Sequence, residues 1–436
     1  MEYKLSRWNS YIDLGERRGL IYNAFTDSFI AVKNASNDYL NVKENKLEDF
    51  TPTFKAQMIE GGALVQAHMD EVKELKDLIN HVDDDDSIFH LIVNPTLDCN
   101  FHCWYCYENH IKDSVMSQQL VNGIEKAMRS QIIRQKNMKY FQLSFFGGEP
   151  LLKFNEVIVP LSEALERLCI SNGITMSIHF TTNAFLLDQK IIEGLRKYKV
   201  SFQITLDGGR EHHNNTRFGI GKLPSFDVIL DNVRKLSESG MSITLRINYT
   251  KNNLESTREI IDILNSFPQS CRKNIIVDFQ RVWQDASKED ADNINSIVRR
   301  FRKELAGNGF RCSNNRLMNA VRDSCYGDKT NEMLVNFNGD VFACTARDFK
   351  TSSRLGHLLP NGTIEWNEDA VNRRRESKFS KKVCHKCRIA PLCAGGCRTK
   401  CVEHTGHDGC SFGYSKEDID DLILERFEEY FLKETF

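Results

Sequence analysis

An α/β fold built on a parallel sheet is predicted for the middle of the chain, and two observations predict it. Between Ile88 and about Val282, apolar strands alternate with amphipathic helices six times over, which calls for parallel strands with helices packed outside. Most of the polar and glycine-rich motifs in this stretch fall at or just after the end of a predicted strand. In a parallel barrel that is where the active site lies.

The strands expected are Leu91–Val93, Phe141–Phe146, Thr175–Phe180, Ser201–Leu206, Ile243–Ile247 and Ile275–Phe279. Helical periodicity covers Gln119–Ile133, Glu156–Leu168 and Phe226–Leu236. Upstream, Leu20–Tyr22 and Phe29–Val32 read as short strands around an Asn23–Ser28 turn. A helix near Phe54–Ile59 stops at Gly61-Gly62, and another runs from Asp70 to Asn80. Asp83–Asp86 reads as a solvated acidic linker. Residues 283–322 form a polar helical bridge. The cysteine-rich end carries short strands at Met333–Phe337 and Val341–Ala343. A final amphipathic helix over Ser415–Phe436 opens on a Ser415/Asp418 cap, with Ile419, Leu422, Ile423, Phe427 and Tyr430 on one face.

A chain of 436 residues with 41% hydrophobic and 27% charged residues has ample material for two or three domains. Its net charge of −2 offers no basic footprint for nucleic acid. The first residues lack an apolar signal segment, and no run of 18 apolar residues occurs, so the expected location is cytoplasmic and off the membrane. Of the fourteen cysteines, eleven fall within 99–106 and 325–410. Clustering of this kind in a reducing compartment favours metal ligation over disulfides. Cys169 and Cys271 read as small apolar core residues, and Cys312 also stands alone.

Cys99, Cys103 and Cys106 lie at x3 and x2 spacing directly after the first barrel strand. Three thiolates so placed can hold three irons of a cubane and leave the fourth without a protein ligand, whereas ordinary [4Fe–4S] proteins supply four cysteines. An open iron can chelate the amino and carboxylate groups of S-adenosylmethionine (SAM) and pass one electron to its sulfonium. Zinc, with His102 or His110 as fourth ligand, is the rival reading.

This segment, with Tyr105 before its last cysteine, resembles the radical SAM superfamily. The resemblance implies a partial (β/α)6 barrel over 88–285 and extends to Phe146-Gly147-Gly148-Glu149-Pro150, which is similar to the family's GGEP motif at the SAM amino group. It implies further SAM-binding roles for Tyr105, Asn183, Thr205, Asp207 and Arg246, with Asn248 completing an R-x-N pair. For Arg217, a surface role is an equal alternative.

The C-terminal cysteines, Cys325, Cys344, Cys384, Cys387, Cys393, Cys397 and Cys410, resemble the SPASM pattern at all seven positions. A zinc ribbon is the alternative. The resemblance implies two auxiliary [4Fe–4S] clusters, three clusters in all. One takes Cys384, Cys387, Cys393 and Cys410; the other takes Cys325, Cys344 and Cys397, with Cys312, Cys401, substrate or nothing in fourth place. The domains expected are therefore 1–87, a small α+β, winged-helix-like element resembling PqqD-type peptide-recognition modules with its linker; 88–285, the barrel; 286–322, the bridge; and 323–436, the SPASM domain with its C-terminal helix.

Proteins of this architecture use the 5′-deoxyadenosyl radical to oxidise peptides. The resemblance implies a maturase that installs a C–C or thioether crosslink in a ribosomally made precursor peptide with a leader, served by a flavodoxin- or ferredoxin-type reductant. The alternative is an anaerobic sulfatase-maturating enzyme making formylglycine, a reaction that needs a carboxylate base. Asp278, on the sixth strand, is the candidate. A non-catalytic iron–sulfur carrier is a third reading.

Overall fold

The computed structural model describes residues 2–15, 18–32, 38–285, 291–313, 323–404 and 408–434; of the helical bridge, 286–290 and 314–322 lie outside them. The described residues form two compact units. One draws on Met1–Asp85, Arg316–Thr330 and Val371–Phe436, the other on Asp86–Asn315 and Asn331–Ala370.

The second unit holds the barrel. Its strands are β1 (Ile88–Val93), β2 (Tyr140–Phe145), β3 (Thr175–Thr182), β4 (Val200–Leu206), β5 (Ser242–Tyr249) and β6 (Ile275–Arg281), each parallel to the next in sequence. Beyond β6 comes the short parallel strand β7 (Arg311–Cys312). On the other edge β8 (Glu332–Val335) pairs parallel with β1. Three antiparallel strands follow it: β9 (Asp340–Phe342), β10 (Gly356–Leu358) and β11 (Ile364–Trp366). The result is one mixed sheet of eleven strands.

Helices α1 (Gln118–Arg134), α2 (Val159–Asn172), α3 (Gln189–Leu195), α4 (Phe226–Glu238) and α5 (Thr257–Asn265) connect the barrel strands. Ser117 caps α1 by accepting from the Leu120 amide, and Asp188 caps α3 by accepting from that of Ile191. The helix expected from Glu156 begins later: Phe154–Ile158 is a π-helical turn, and the α-helix proper starts at Val159 beside Pro160.

Parallel strands covered on both faces usually read as continuous apolar runs. Here burial alternates, as in the strictly alternating Val200–Leu206, because the two faces meet different surroundings. One face packs apolar side chains: Phe145, Phe180 and Phe202 stack on successive strands at 5.4 and 5.2 Å. The other carries polar groups. His90 Nε2 and Ser144 Oγ lie 2.7 Å apart, and His179 Nδ1 and Ser201 Oγ lie 2.9 Å apart. Burial, reinforced by the charge of His90, lowers the His179 pKa to about 4. Between about pH 6.5 and 4 the unfolded chain therefore binds a proton here that the folded chain refuses. The folded state loses stability as pH falls through that window, by up to about 3 kcal/mol. His179→Gln, which does not titrate and still reaches Ser201, should flatten the pH dependence of urea unfolding over that range relative to wild type. An unchanged slope would show that the ring is not held neutral.

In the first unit, Asn9–Gly15, Arg18–Asn23 and Ser28–Val32 form a three-stranded antiparallel sheet, and Tyr3–Leu5 pairs with Leu64–Gln66. Helices cover Pro52–Glu60 and Glu71–Asp83, the latter capped by Asp70. The C-terminal helix Lys416–Glu434 begins with a reciprocal cap between Ser415 and Asp418. Its Leu422 and Ile423 share a core with Trp8, Leu20, Tyr22 and Leu75. Tyr430 on that helix is half exposed. The acidic linker expected at Asp83–Asp86 needs correction at its first residue. Asp83 ends a helix and is 2% exposed, with Lys378 Nζ at 2.7 and 2.8 Å and an Arg398 guanidinium nitrogen at 2.8 Å. A carboxylate with two buried cations within reach is no longer a solvated one.

Candidate active site

The cysteine loop leaves β1 and is fixed by its own polar side chains before it reaches the first thiol. Thr96 Oγ1 donates to the Ser114 carbonyl at 2.6 Å, and Ser114 Oγ accepts from the Leu97 amide at 2.9 Å. Asp98 accepts from the amides of Cys99 at 2.8 Å and Asp113 at 3.0 Å. The Phe101 amide donates to Cys99 Sγ at 3.4 Å, and Phe101 itself is buried edge-on against Phe185. Burial pushes the Cys99 and Cys103 thiols up, and that of Cys106 to about 11. These thiols would surrender protons only to something that replaces them, as a bound metal does.

The second strand ends in the glycines that let the loop approach. A Cβ on Gly148 would stand 2.1 Å from the Asp98 carbonyl oxygen; one on Gly147, whose φ is +95°, would stand 2.4 Å from that of Thr96. The Glu149 carboxylate is fully buried. It accepts from the amides of Leu151 (3.0 Å) and Asn183 (2.8 Å) and from Thr182 Oγ1 (2.7 Å). Burial raises its pKa against those three hydrogen bonds. With its oxygens engaged, Glu149 joins the end of β2 to the end of β3, and Asn183 Nδ2 reaches on to Asn100 in the cysteine loop at 2.7 Å.

These elements surround a cavity of about 190 Å³ at the carboxyl ends of the strands. Cys99, Cys103 and Cys106 line it with Gly147, Gly148, Asn183, Thr205 and Arg246. Tyr105 is its hub. The phenol donates to Asp207 Oδ2 at 2.6 Å and accepts from Arg217 at 2.9 Å and from Asn248 at 3.2 Å. Arg246 Nε donates to Asn248 Oδ1 at 3.1 Å. Burial raises the Asp207 pKa to about 6, against the pull of Arg217 and the Tyr105 hydrogen bond.

Arg217, for which a surface role was an equal alternative, is 8% exposed, lines the cavity and has a buried Nε with no hydrogen-bond partner. Nothing periodic marks it in the sequence. Glu108 also lines the cavity, its pKa raised to about 8 by burial and by Asp348. It stands two residues after Cys106, and that proximity was the available signal. Asp207 lines the adjoining cavity, on the far side of Tyr105, together with Trp104 and Asp285. Asp278 faces the same side of the sheet as its register partner Arg246 but is not among the cavity's lining residues. Gln280 Nε2 donates to both of its carboxylate oxygens at 3.1 Å, and Ser313 Oγ donates to one of them.

The C-terminal cysteines fall in both units. Cys384, Cys387, Cys393 and Cys410 gather in the first, near enough that each of the first three feels the charge of others in the group. Cys401 is buried beside them, 3.2 Å from Ser411 Oγ. Cys325 precedes the Tyr326–Asp328 turn, and Cys397 precedes the helix Arg398–Glu403. Cys344 follows β9 in the second unit, where Cys312, on β7, donates to the Arg302 carbonyl at 3.7 Å. Cys169 and Cys271 are buried in the apolar core.

Residues 93–264 match the model of the Radical SAM superfamily. The chain carries a radical SAM domain. Over 83% of its length it is 21% identical to the radical SAM cyclopropyl synthase TigE of Paramaledivibacter caminithermalis, covering 78% of that protein. It is 24% identical to a cysteine-type anaerobic sulfatase-maturating enzyme of Clostridium perfringens, over 78% of this chain and 95% of that one. Among solved structures, anSMEcpe with bound AdoMet and a Cp18Cys peptide superposes with a TM-score of 0.59 at 16% identity, covering 79% of this chain and 98% of that one. SuiB of Streptococcus suis bound to S-adenosylmethionine gives 0.51 at 16% identity, covering 92% and 97%. The radical SAM fold is thus shared with both.

A radical SAM domain implies a [4Fe–4S] cluster and SAM, and the residues present fit them. Three thiols face one cavity and supply one ligand fewer than a cubane has irons. Beside them the unpartnered Arg217 Nε offers a donor to a carboxylate. The backbone at Gly147 and Gly148 leaves no room for a side chain between the turn and the cysteine loop. Among the described residues no helix is long and apolar enough to cross a membrane.

Proposed function

We propose that this radical SAM domain serves a peptide maturase, which oxidatively installs a C–C or thioether crosslink in a ribosomally made precursor peptide. The observation that carries the reading is the coexistence of a cavity lined by three thiols at the carboxyl ends of the strands with a second gathering of four cysteines in the other unit. SAM, when bound and reduced by one electron, would supply the radical chemistry that removes hydrogen from an unactivated C–H bond. The chain's own residues do the rest. Cys99, Cys103 and Cys106 would hold the cluster; Arg217, Asn248 and Tyr105 would form one polar wall that orients SAM; Glu149 and Asn183 keep the cysteine loop against β2 and β3. Crosslinking removes two hydrogens, so a second electron must leave the substrate. Cys384, Cys387, Cys393 and Cys410, gathered in one unit, would hold an auxiliary cluster that accepts it. The antiparallel sheet at Asn9–Val32 has edge strands to which an extended leader could add.

Anaerobic reconstitution with iron and sulfide, followed by SAM and dithionite, should release 5′-deoxyadenosine. A peptide encoded beside the gene should lose two hydrogens on co-expression. Absence of 5′-deoxyadenosine from iron-replete protein would sink the enzyme reading, and a formylglycine in a sulfatase would replace the crosslink by the alternative. Tyr105→Phe keeps the ring but removes the oxygen on which three side chains converge. It should weaken SAM binding about tenfold, the scale of one lost hydrogen bond to charged groups. Calorimetric affinity within twofold of wild type would show that the hub does not shape the SAM wall.

A further inference from the structure

The net charge of −2 conceals a strongly basic segment: residues 371–404 contain ten lysines and arginines and two acids. The absence of a basic footprint, read from net charge, therefore fails locally. Half of these cations are consumed within the first unit. Arg374, Arg375, Lys378, Arg388 and Arg398 pair with Asp328, Asp84, Asp83, Asp420 and again Asp83. Lys381, Lys382, Lys386 and Lys400 are different. Among the described residues none of the four has an acidic partner. All four border the cysteine group. Lys381 Nζ donates to the Gly409 carbonyl, next to Cys410, at 3.2 Å. Lys386 is exposed between Cys384 and Cys387, and Lys382 is exposed two residues before Cys384. Lys400 lies 5.1 Å over the ring of Phe412. Val383 and Phe412, 38% and 40% exposed, place apolar surface inside this ring of charge.

We propose that this lysine-rimmed surface around Cys384, Cys387, Cys393 and Cys410 is the docking site of an acidic one-electron carrier protein. The inference rests on the reading of those cysteines as an auxiliary cluster site. Unpaired cations around a small apolar centre suit a transient partner of opposite charge, which long-range attraction steers and short-range contact orients. The cysteines at the centre make that partner a redox protein rather than a nucleic acid, because docking here brings its redox centre close to theirs. One electron is then exchanged; one centre is oxidised as the other is reduced, and no bond is made.

The test uses the reconstituted holoenzyme and a purified acidic flavodoxin, with affinity measured calorimetrically at low and high salt. Binding should weaken at least about tenfold at high salt, because exposed charges are screened. It should weaken by a similar factor in the variant carrying K381E, K382E, K386E and K400E. The corresponding fourfold Lys→Arg variant should bind like wild type, as should Lys190→Glu on a barrel helix. Iron content and dithionite-driven 5′-deoxyadenosine release should be unchanged in the charge-reversed protein. That release tests the radical SAM reading separately from the docking. Should the charge-reversed protein lose iron, salt dependence and the arginine variant decide. The proposal is overturned if flavodoxin affinity ignores both salt and charge reversal, if Lys190→Glu weakens it equally, or if single-stranded RNA binds through these lysines while flavodoxin does not.

Discussion

Gly148→Ala should abolish most SAM cleavage while leaving the chain folded. The added Cβ would meet the Asp98 carbonyl oxygen at 2.1 Å, the Asp98 carbonyl carbon at 2.6 Å and the Leu97 carbonyl carbon at 2.9 Å. All three atoms are backbone, so no rotamer change relieves the clash. The turn after β2 and the loop before Cys99 must part, and they are further tied by the Glu149 amide donating to the Asp98 carbonyl at 2.8 Å. Displacing the first thiol by a fraction of an ångström or more costs about a hundredfold in 5′-deoxyadenosine release, the scale of a 1 Å misplacement at a reacting centre. The same overpacking costs about 1–3 kcal/mol of stability. Gly194→Ala is the matched control. It lies within α3 with nothing within 4 Å of the added methyl, so it should stabilise the protein by about 0.5–1 kcal/mol through helix propensity. Iron content, urea unfolding and turnover of the two variants side by side separate a steric effect at the loop from a general intolerance of glycine substitution. Turnover of Gly148→Ala within threefold of wild type would mean that the turn does not set the position of the cysteines.

Why that turn was legible in the sequence, and other features were not, follows from the range of the interactions involved. The six parallel strands were legible because a short apolar run set between amphipathic helices is a local signal, and β1 to β6 were each expected within a few residues of their observed ends. Gly147 and Gly148 were legible because a motif fixes their meaning. That β8 lies beside β1 was not, since Glu332–Val335 is a short apolar run whose partner is more than two hundred residues away. Arg217 stayed undecided and Glu108 unassigned for a related reason: a polar residue in a loop carries no periodicity to show which way it faces, and the Tyr105 hub that recruits Arg217 is assembled from three separate strand ends. The run Asp83–Asp86 misled because four consecutive acids look solvated, and the cations that bury the first lie near the other end of the chain.

That buried acid should also be among the most sensitive positions in the molecule. Asp83→Ala would remove the shared counter-ion of Lys378, whose side chain is 3% exposed, and of Arg398, at 9%. What is left to both is Asp328: its carboxylate lies 3.5 Å from Lys378, and its carbonyl accepts from Arg398 at 2.8 Å. Burial already lowers the Arg398 pKa even with Asp83 present, so the site has little capacity to hold two cations on one acid. Removing one partner of a buried ion pair typically costs about 3–5 kcal/mol, because the remaining charge stays desolvated and uncompensated. Arg398 follows Cys397 directly, so a relaxation that lets the guanidinium reach water also moves that thiol, and iron content should fall with stability. The double variant Asp83→Ala/Lys378→Met should recover part of the loss, since it removes one orphaned cation and keeps the apolar stem; a double-mutant cycle in urea gives the coupling directly. Loss of less than about 1 kcal/mol in the single variant would show that water reaches these side chains and that the cluster is not held by its charges.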